Sequence, residues 1–309
     1  MMSEIPLSFI PSSSSLGTRL LSCFLPLFGG SRKKGLLTEW AEEIRYRRDL
    51  KEFGQRDTDI WVSTYSRSGT TWMQMILYQL TQEGSMDFEH LFDVSPWVYY
   101  SSLRQKVPVS TPDPRILKTH DPYERFSHGQ RGRYIFVVRD GRDVAVSWFH
   151  HRKNVRGYEG SFDQHFQEFL YGKKYNWFNH VRSWVENSKN LPLLLVYYED
   201  LKNNFESEIR HIAKFLRLDP SEDVVARTSE RCSFAFMKEH EAQLGPHVSH
   251  FAHLLGSTFR IHNTESFLRN GMTGEGKQTL QPDQEQAYQR KFREVLGNLT
   301  QLERYSQES

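Results

Sequence analysis

A chain of 309 residues sets 40 Lys and Arg against 38 Asp and Glu, and a net charge of +2 gives no broad basic surface for nucleic acid. Hydrophobic content of 38% with 14% aromatic is enough for a core, as one large domain or two smaller ones, with rings to spare for pocket walls. Only Cys23 and Cys232 are present, which excludes a disulfide framework and fits a reducing compartment.

Residues 1–37 read as a flexible tail. Pro11-Ser12-Ser13-Ser14-Ser15 is loop-like, and the apolar run Leu20 to Phe28 is broken by Pro26 and followed by Arg32-Lys33-Lys34. That run is too short for a transmembrane span of about 20 apolar residues. It also lacks the positive start of a signal peptide, since Glu4 precedes the first basic residue, Arg19. A disordered or loosely docked tail and a weak membrane-surface contact both fit it.

From residue 38 the chain alternates helix-like and strand-like segments, the pattern of an α/β domain over 38–300 with a central, mostly parallel sheet flanked by helices. Glu39 to Phe53 is charged and amphipathic. Ile60-Trp61-Val62-Ser63 predicts a buried strand, Thr71 to Gln82 a helix, and Pro108 to Pro114 a proline-rich connection before a strand at Arg115 to Thr119. Tyr134 to Val138 and Leu193 to Tyr197 are continuous apolar runs, as expected of strands covered on both faces. Phe162 to Asn187 and Asn204 to Leu216 read as helical. Glu239 to Gly276 is rich in His, Gly, Ser and Asn and reads as loop with scattered short helix. Residues 301–309 form a C-terminal tail.

The junction between the first strand and helix is the most informative stretch: Thr64-Tyr65-Ser66-Arg67-Ser68-Gly69-Thr70-Thr71-Trp72. The first amides of a helix have no intrahelical partner, and the helix dipole adds partial positive charge there. Ser68, Gly69, Thr70 and Thr71 let phosphate oxygens approach the backbone and offer hydroxyls, while Arg67 adds charge and Trp72 a flat ring. A P-loop-like nucleotide-binding core follows. The Walker rule itself is not met, because the basic residue precedes the glycine. An N-capped turn with no ligand is the alternative for the loop taken alone.

Three further motifs follow in order. Arg139-Asp140-Gly141-Arg142-Asp143-Val144-Ala145-Val146-Ser147 ends a strand, as does Tyr197-Tyr198-Glu199-Asp200-Leu201. Arg269-Asn270-Gly271-Met272-Thr273-Gly274-Glu275-Gly276-Lys277 lies near the C-terminus. Together with the Tyr-x-x-Ser-Gly-Thr-Thr-Trp loop, this series resembles the cytosolic sulfotransferases, which use 3′-phosphoadenylyl sulfate (PAPS) as donor. The resemblance implies that Arg67, Ser68, Gly69, Thr70, Thr71 and Trp72 hold the 5′-phosphosulfate. It further implies that Arg139, Ser147, Arg269, Asn270 and Gly271 clamp the 3′-phosphate and that Tyr198 lies near the adenine. Arginine forks suit phosphate oxygens for physical reasons as well.

Lys118-Thr119-His120 closes a strand, where open α/β sheets bind ligands. Histidine accepts a proton near neutral pH, and Lys118 and Arg67 can stabilise charge on the leaving group. The resemblance gives His120 the role of catalytic base and Lys118 that of a transition-state contact. The expected reaction moves a sulfuryl group from PAPS to a hydroxyl or amine of a small-molecule acceptor, leaving the desulfated product PAP, in the cytoplasm.

No metal is expected: the sulfuryl group carries less negative charge than a phosphoryl group, and cationic side chains can replace Mg²⁺. His247, His250 and His253 recur every three residues but read as part of a segment over the acceptor pocket. Phe92, Pro96, Trp97, Tyr99, Trp148, Phe149 and His151 lie where the family lines that pocket, and His151 in place of an aromatic suggests a more polar acceptor than a simple phenol.

The chain departs from the family at Arg67, where lysine is usual, and at Asn270, Glu275 and Gly276, where Lys, Asp and Trp are usual. At Arg67 the expectation is retained activity with a shifted donor geometry, and at the last motif weaker donor binding. Lys277-Gln278-Thr279-Leu280-Gln281-Pro282 does not reproduce the family's dimer motif, which leaves dimerisation by that route open to doubt. The alternatives are a sulfotransferase-like binding protein with little turnover, a P-loop-like kinase, and a Golgi carbohydrate sulfotransferase, the last disfavoured by the short N-terminal apolar run.

Overall fold

The computed structural model describes residues 54–82, 84–98, 113–125, 131–172, 176–245 and 267–306. The expectations for the tail 1–37, for 39–53, for Tyr99 and for His247, His250 and His253 lie outside the described residues.

Four strands form one sheet: β1 (Ile60–Thr64), β2 (Ile116–Thr119), β3 (Arg133–Val138) and β4 (Leu193–Tyr197). Their order is β2-β1-β3-β4, and every pairing is parallel. The described sheet is therefore wholly parallel rather than mostly so. β1 and β2 are buried along their whole length, as apolar runs between two helical layers should be. β4, at the edge, is only half-buried. A bidentate pair from Arg115 to Asp59, both oxygens at 2.7 Å, ties the entry of β2 to that of β1.

The register aligns the strand ends. Ser63 stands beside Thr119 and Phe136, and Val138 beside Tyr197. Because all four strands run the same way, the residues that follow them emerge at one edge. β2 and β3 lie on opposite flanks of β1, the reversal of order that opens a crevice at the carboxyl ends of strands. Thr64, His120, Arg139 and Tyr198 all sit there.

Helix α1 (Thr70–Thr81) follows β1 and is buried over most of its surface, with Met73, Met75, Ile76 and Leu77 fully enclosed. Helix α2 (Gly141–Arg156) follows β3, its first turn capped by Asp140, whose carboxylate accepts from the Arg142 amide. The stretch expected to be helical from 162 to 187 is two helices, α3 (Phe162–Tyr171) and α4 (Trp177–Glu186). Gly172 ends the first, and Asn176 starts the second by accepting from the Phe178 and Asn179 amides. The strong start signal at Asn176 outweighs the continuing apolar pattern.

After β4 come α5 (Tyr198–Asn203), α6 (Phe205–Leu216), α7 (Glu222–Arg231) and α8 (Phe234–Glu239). A short α9 (Glu275–Thr279) and the long α10 (Pro282–Leu296) follow the 267–274 segment, and a 3₁₀ turn at Thr300–Tyr305 packs near β4 with Leu302 and Tyr305 buried. No described helix is long and apolar enough to cross a membrane.

Candidate active site

The loop from β1 to α1 is shaped by two left-handed residues. Gly69, at φ +99°, is the residue before α1, and Arg67 holds φ +71°, an uncommon conformation for a side-chain-bearing residue. A Cβ on Gly69 would stand 2.8 Å from the Tyr198 ring, so glycine serves both conformation and close approach. The Ser68 hydroxyl is buried and has no hydrogen-bond partner among the described residues. An unmet hydroxyl beside the free amides of a helix start is what an anion site requires.

At the end of β2, Lys118 and His120 reach the same opening. Lys118 is buried, with its Nζ 4.3 Å from the Trp97 ring centre and 4.7 Å from that of Phe92. Burial and, behind it, the charge of Arg67 pull Lys118 down to about 7. The strand segment itself is fixed by the Lys118 amide donating to the Pro96 carbonyl at 2.9 Å.

His120 Nδ1 lies 2.8 Å from the Thr64 carbonyl. A carbonyl can only accept, so Nδ1 carries the proton and Nε2 keeps its lone pair. Burial first and Lys118 second hold His120 well below its ordinary value, against the pull of that carbonyl. The imidazole is thus neutral and ready to accept a proton at neutral pH. Trp97 meets it edge-on at 5.0 Å between ring centres.

The third element is cationic. Arg67 Nε donates to Ser147 Oγ at 3.2 Å and its Nη2 to the Phe267 carbonyl at 3.2 Å. Burial, then Arg139 and Arg269, bring Arg67 down to about 10. Arg139 stacks over the Tyr198 ring at 4.4 Å and donates to the carbonyls of Arg67 and Met272, while its Nε has no partner among the described residues. Arg269 points to Glu275: Nη1 donates to Oε1 at 2.7 Å, and Nη2 donates to Oε2. Asn270 accepts from the Met272 amide at 3.3 Å, and the Gly271 carbonyl accepts from the Tyr198 hydroxyl at 3.2 Å.

These groups line one cavity of about 390 Å³. Arg67, Gly69, Thr70, Thr71, Trp72, Lys118, His120, Arg139, Ser147, Tyr198, Arg269, Asn270 and Gly271 all border it, and Ser68 lies buried within the loop. Trp72 is stacked on Phe205 at 5.3 Å and pinned by its indole N–H to the Cys232 carbonyl at 2.8 Å.

The acceptor expectations divide. Phe92, Trp97, Trp148 and His151 border the cavity; Phe149 does not, and packs instead with Tyr158, Phe162 and His165. Adjacent residues of a helix point about 100° apart, whereas 148, 151 and 155 share a face. Val155 is accordingly a wall residue that periodicity along α2 would have found. Pro96 serves β2 through its carbonyl rather than lining the cavity. Phe234, half-exposed and beside Gly271, is a wall residue that no motif signalled.

Gly276, where the family's aromatic is missing, has its own reason. A Cβ there would stand 2.3 Å from the Arg142 carbonyl carbon, so α9 lies directly on the backbone of α2. Asp143 holds the contact by accepting from the Gly274 and Gly276 amides at 2.9 and 2.7 Å. No described group of His, Cys, Asp and Glu could hold a metal ion.

A family model described as a sulfotransferase domain matches residues 57–300, nearly the whole of this architecture. The chain belongs to the sulfotransferase family. Rabbit amine sulfotransferase is 31% identical to it, covering 80% of this chain and 83% of that protein. Mouse sulfotransferase 1B1 is 29% identical, covering 81% and 87%. A crystal structure of retinol dehydratase, in complex with androsterone and inactive cofactor PAP, superposes with a TM-score of 0.69 at 20% identity over 84% of this chain and 87% of that chain. Sulfotransferases move a sulfuryl group, and membership of the family removes the kinase alternative.

Proposed function

We propose that this sulfotransferase takes its sulfuryl group from PAPS and delivers it to a hydroxyl or amine of a small molecule, with His120 as general base. One observation carries the reading: a neutral imidazole, held through Nδ1 by the Thr64 carbonyl so that Nε2 is unprotonated, beside Arg67 and Lys118, which have no carboxylate partner among the described residues. The donor supplies the sulfuryl group and the leaving phosphate. The chain supplies the rest. Ser68, Thr70, Thr71 and the α1 amides bind the 5′ end, and Lys118 and Arg67 meet the charge that grows on the leaving oxygen. Nε2 of His120 receives the acceptor's proton as the new bond to sulfur forms.

The far end of the cavity suits the rest of the nucleotide. Trp72 and Phe234 offer faces for adenine, and Arg139, Ser147 and Arg269 are the cations and hydroxyl for a 3′-phosphate. The buried Nε of Arg139 and hydroxyl of Ser68, without partners among the described residues, support a two-ended anionic ligand. A retinol dehydratase structure that holds PAP and a rabbit relative that is an amine sulfotransferase agree with this reading.

The acceptor side mixes Phe92, Trp97 and Trp148 with His151, which lies flat on Trp148 at 5.3 Å. This favours a ring-bearing acceptor with a polar substituent, an aryl or alkyl amine among them. The catalytic domain is assigned to 38–300 with 1–37 before it, the packed turn Thr300–Tyr305 extending it by a few residues, in a cytoplasmic protein.

Radiolabelled PAPS incubated with a panel of phenols, amines, steroids and polyols tests the reading. Label should move to at least one acceptor. Tight binding of PAP with no transfer to any of them would favour a binding protein, and no affinity for PAP would end the donor assignment.

A further inference from the structure

We infer that Glu275 is an internal competitor for the 3′-phosphate, a carboxylate that sets how tightly a 3′-phosphorylated nucleotide is held and how readily it is released. The inference rests on the donor reading above and goes beyond it, since nothing in that reading assigns Glu275 a role toward ligand.

Both terminal nitrogens of Arg269 are engaged by the two oxygens of Glu275, the fork-to-fork geometry in which arginine also grips phosphate. Arg269 borders the cavity, so the face it would turn to a ligand is the face Glu275 uses. Asn270 adds a weaker contact to the same Oε2, at 3.4 Å. Glu275 is held below its ordinary value, chiefly by the hydrogen bond from Arg269, and is an anion at neutral pH.

Two features make this pair exchangeable. The side chains of Arg269 and Glu275 are 27% and 23% exposed, so water can replace what either loses, and partly solvated ion pairs are weak. The backbone on both sides of Glu275 is pinned, because Asp143 holds the Gly274 and Gly276 amides. Release of Arg269 therefore needs a side-chain rotation of Glu275 and no rebuilding of the segment. A phosphate dianion brings more charge and more acceptor oxygens than a carboxylate, and takes the fork. As the phosphate leaves, Glu275 takes it back.

Arg139 contrasts with this. Its donors meet the neutral carbonyls of Arg67 and Met272, with Asp143 farther off at 3.6 Å. The competition is thus concentrated at one of the two clamp arginines, and a nucleotide without a 3′-phosphate does not enter it.

Calorimetric titration of PAP and of 5′-AMP into the full-length wild type and Glu275→Gln and Glu275→Asp variants tests the inference, with thermal melts to establish that each variant is folded. Glu275→Gln should bind PAP about tenfold more tightly, since one charge-assisted contact no longer has to be exchanged, and should bind AMP as the wild type does. Glu275→Asp keeps the charge but withdraws it by one methylene, and should gain about threefold for PAP. Equal PAP affinity in wild type and Gln variant, or weaker binding by the variant, would overturn the inference. So would equal gains for PAP and AMP, or a gain in the Gln variant with none in the Asp variant, which would mark general repulsion. Failure of all three proteins to bind PAP would instead overturn the donor reading itself.

Discussion

The β1–α1 loop and the 267–276 segment each bring an arginine to one cavity, and they treat its charge in opposite ways. Arg67 donates to a serine hydroxyl and a backbone carbonyl, and neither it nor Lys118 has a carboxylate partner among the described residues. Arg269 is met by Glu275. Cations held together without counter-charge lower one another's pKa and are costly to keep; on the proposed reading they stand where negative charge grows during transfer. At the far end, where the proposal places a phosphate that need only be held and let go, Glu275 offsets the charge. On that reading one end is set for chemistry and the other for exchange.

The largest effect should come from His120→Ala. Loss of the base should cut turnover by about a thousandfold, within the usual range for a general base, while PAP affinity moves less than about threefold. A comparable loss of PAP affinity would place His120 in the binding end instead.

Lys118→Met should lower kcat by about a hundredfold, in keeping with removal of one charge that stabilises the transition state. The wild type also has a pH signature. Lys118, brought down to about 7, is the useful cation below that pH and loses its proton as pH rises through it. His120, well below its ordinary value, stays a competent base until the pH is well under 6.5. The ratio kcat/KM for PAPS should therefore fall above about pH 7, and Lys118→Arg should remove that alkaline fall. Persistence of the fall in the arginine variant would assign it to another group.

Gly69→Ala probes the binding half of the same loop. The substituent would enter a left-handed position and press on the Tyr198 ring, costing about 1–3 kcal/mol and weakening PAP by about tenfold. Unchanged melting and binding would mean that the loop relaxes freely.

The smallest change should follow Arg67→Lys. A lysine keeps the charge but cannot serve Ser147 and the Phe267 carbonyl as a fork does, so the KM for PAPS should rise by about threefold with little change in kcat. A large fall in kcat would show that the fork, not the charge alone, takes part in transfer.

Much of this was legible in the chain. Ile60-Trp61-Val62 and Tyr134 to Val138 announced covered strands of a parallel sheet because strands buried on both faces must be continuously apolar, whereas Leu193 to Tyr197 is equally apolar yet sits at the edge, half-buried. The loop at 65–72 and the Lys118–His120 pair were readable because strand ends collect at one edge. The pairing of Arg269 with Glu275 was not, since no local rule says which acid a surface arginine will choose. Phe149 was misplaced because sequence adjacency to Trp148 says nothing of direction on a helix, and the break at Gly172 was passed over because the apolar pattern resumes at Tyr175 and Trp177. Phe234 escaped for the opposite reason: it lies in an otherwise ordinary amphipathic stretch and reaches the cavity only through the packing of α8 beside Gly271.

The central claim, that one nucleotide spans both ends of the cavity, is tested most directly by comparing PAP with 5′-AMP on the wild-type protein by titration calorimetry. PAP should bind at least about tenfold more tightly, because only it reaches Arg139 and Arg269. Equal affinity for the two, or no measurable binding of PAP, would contradict it.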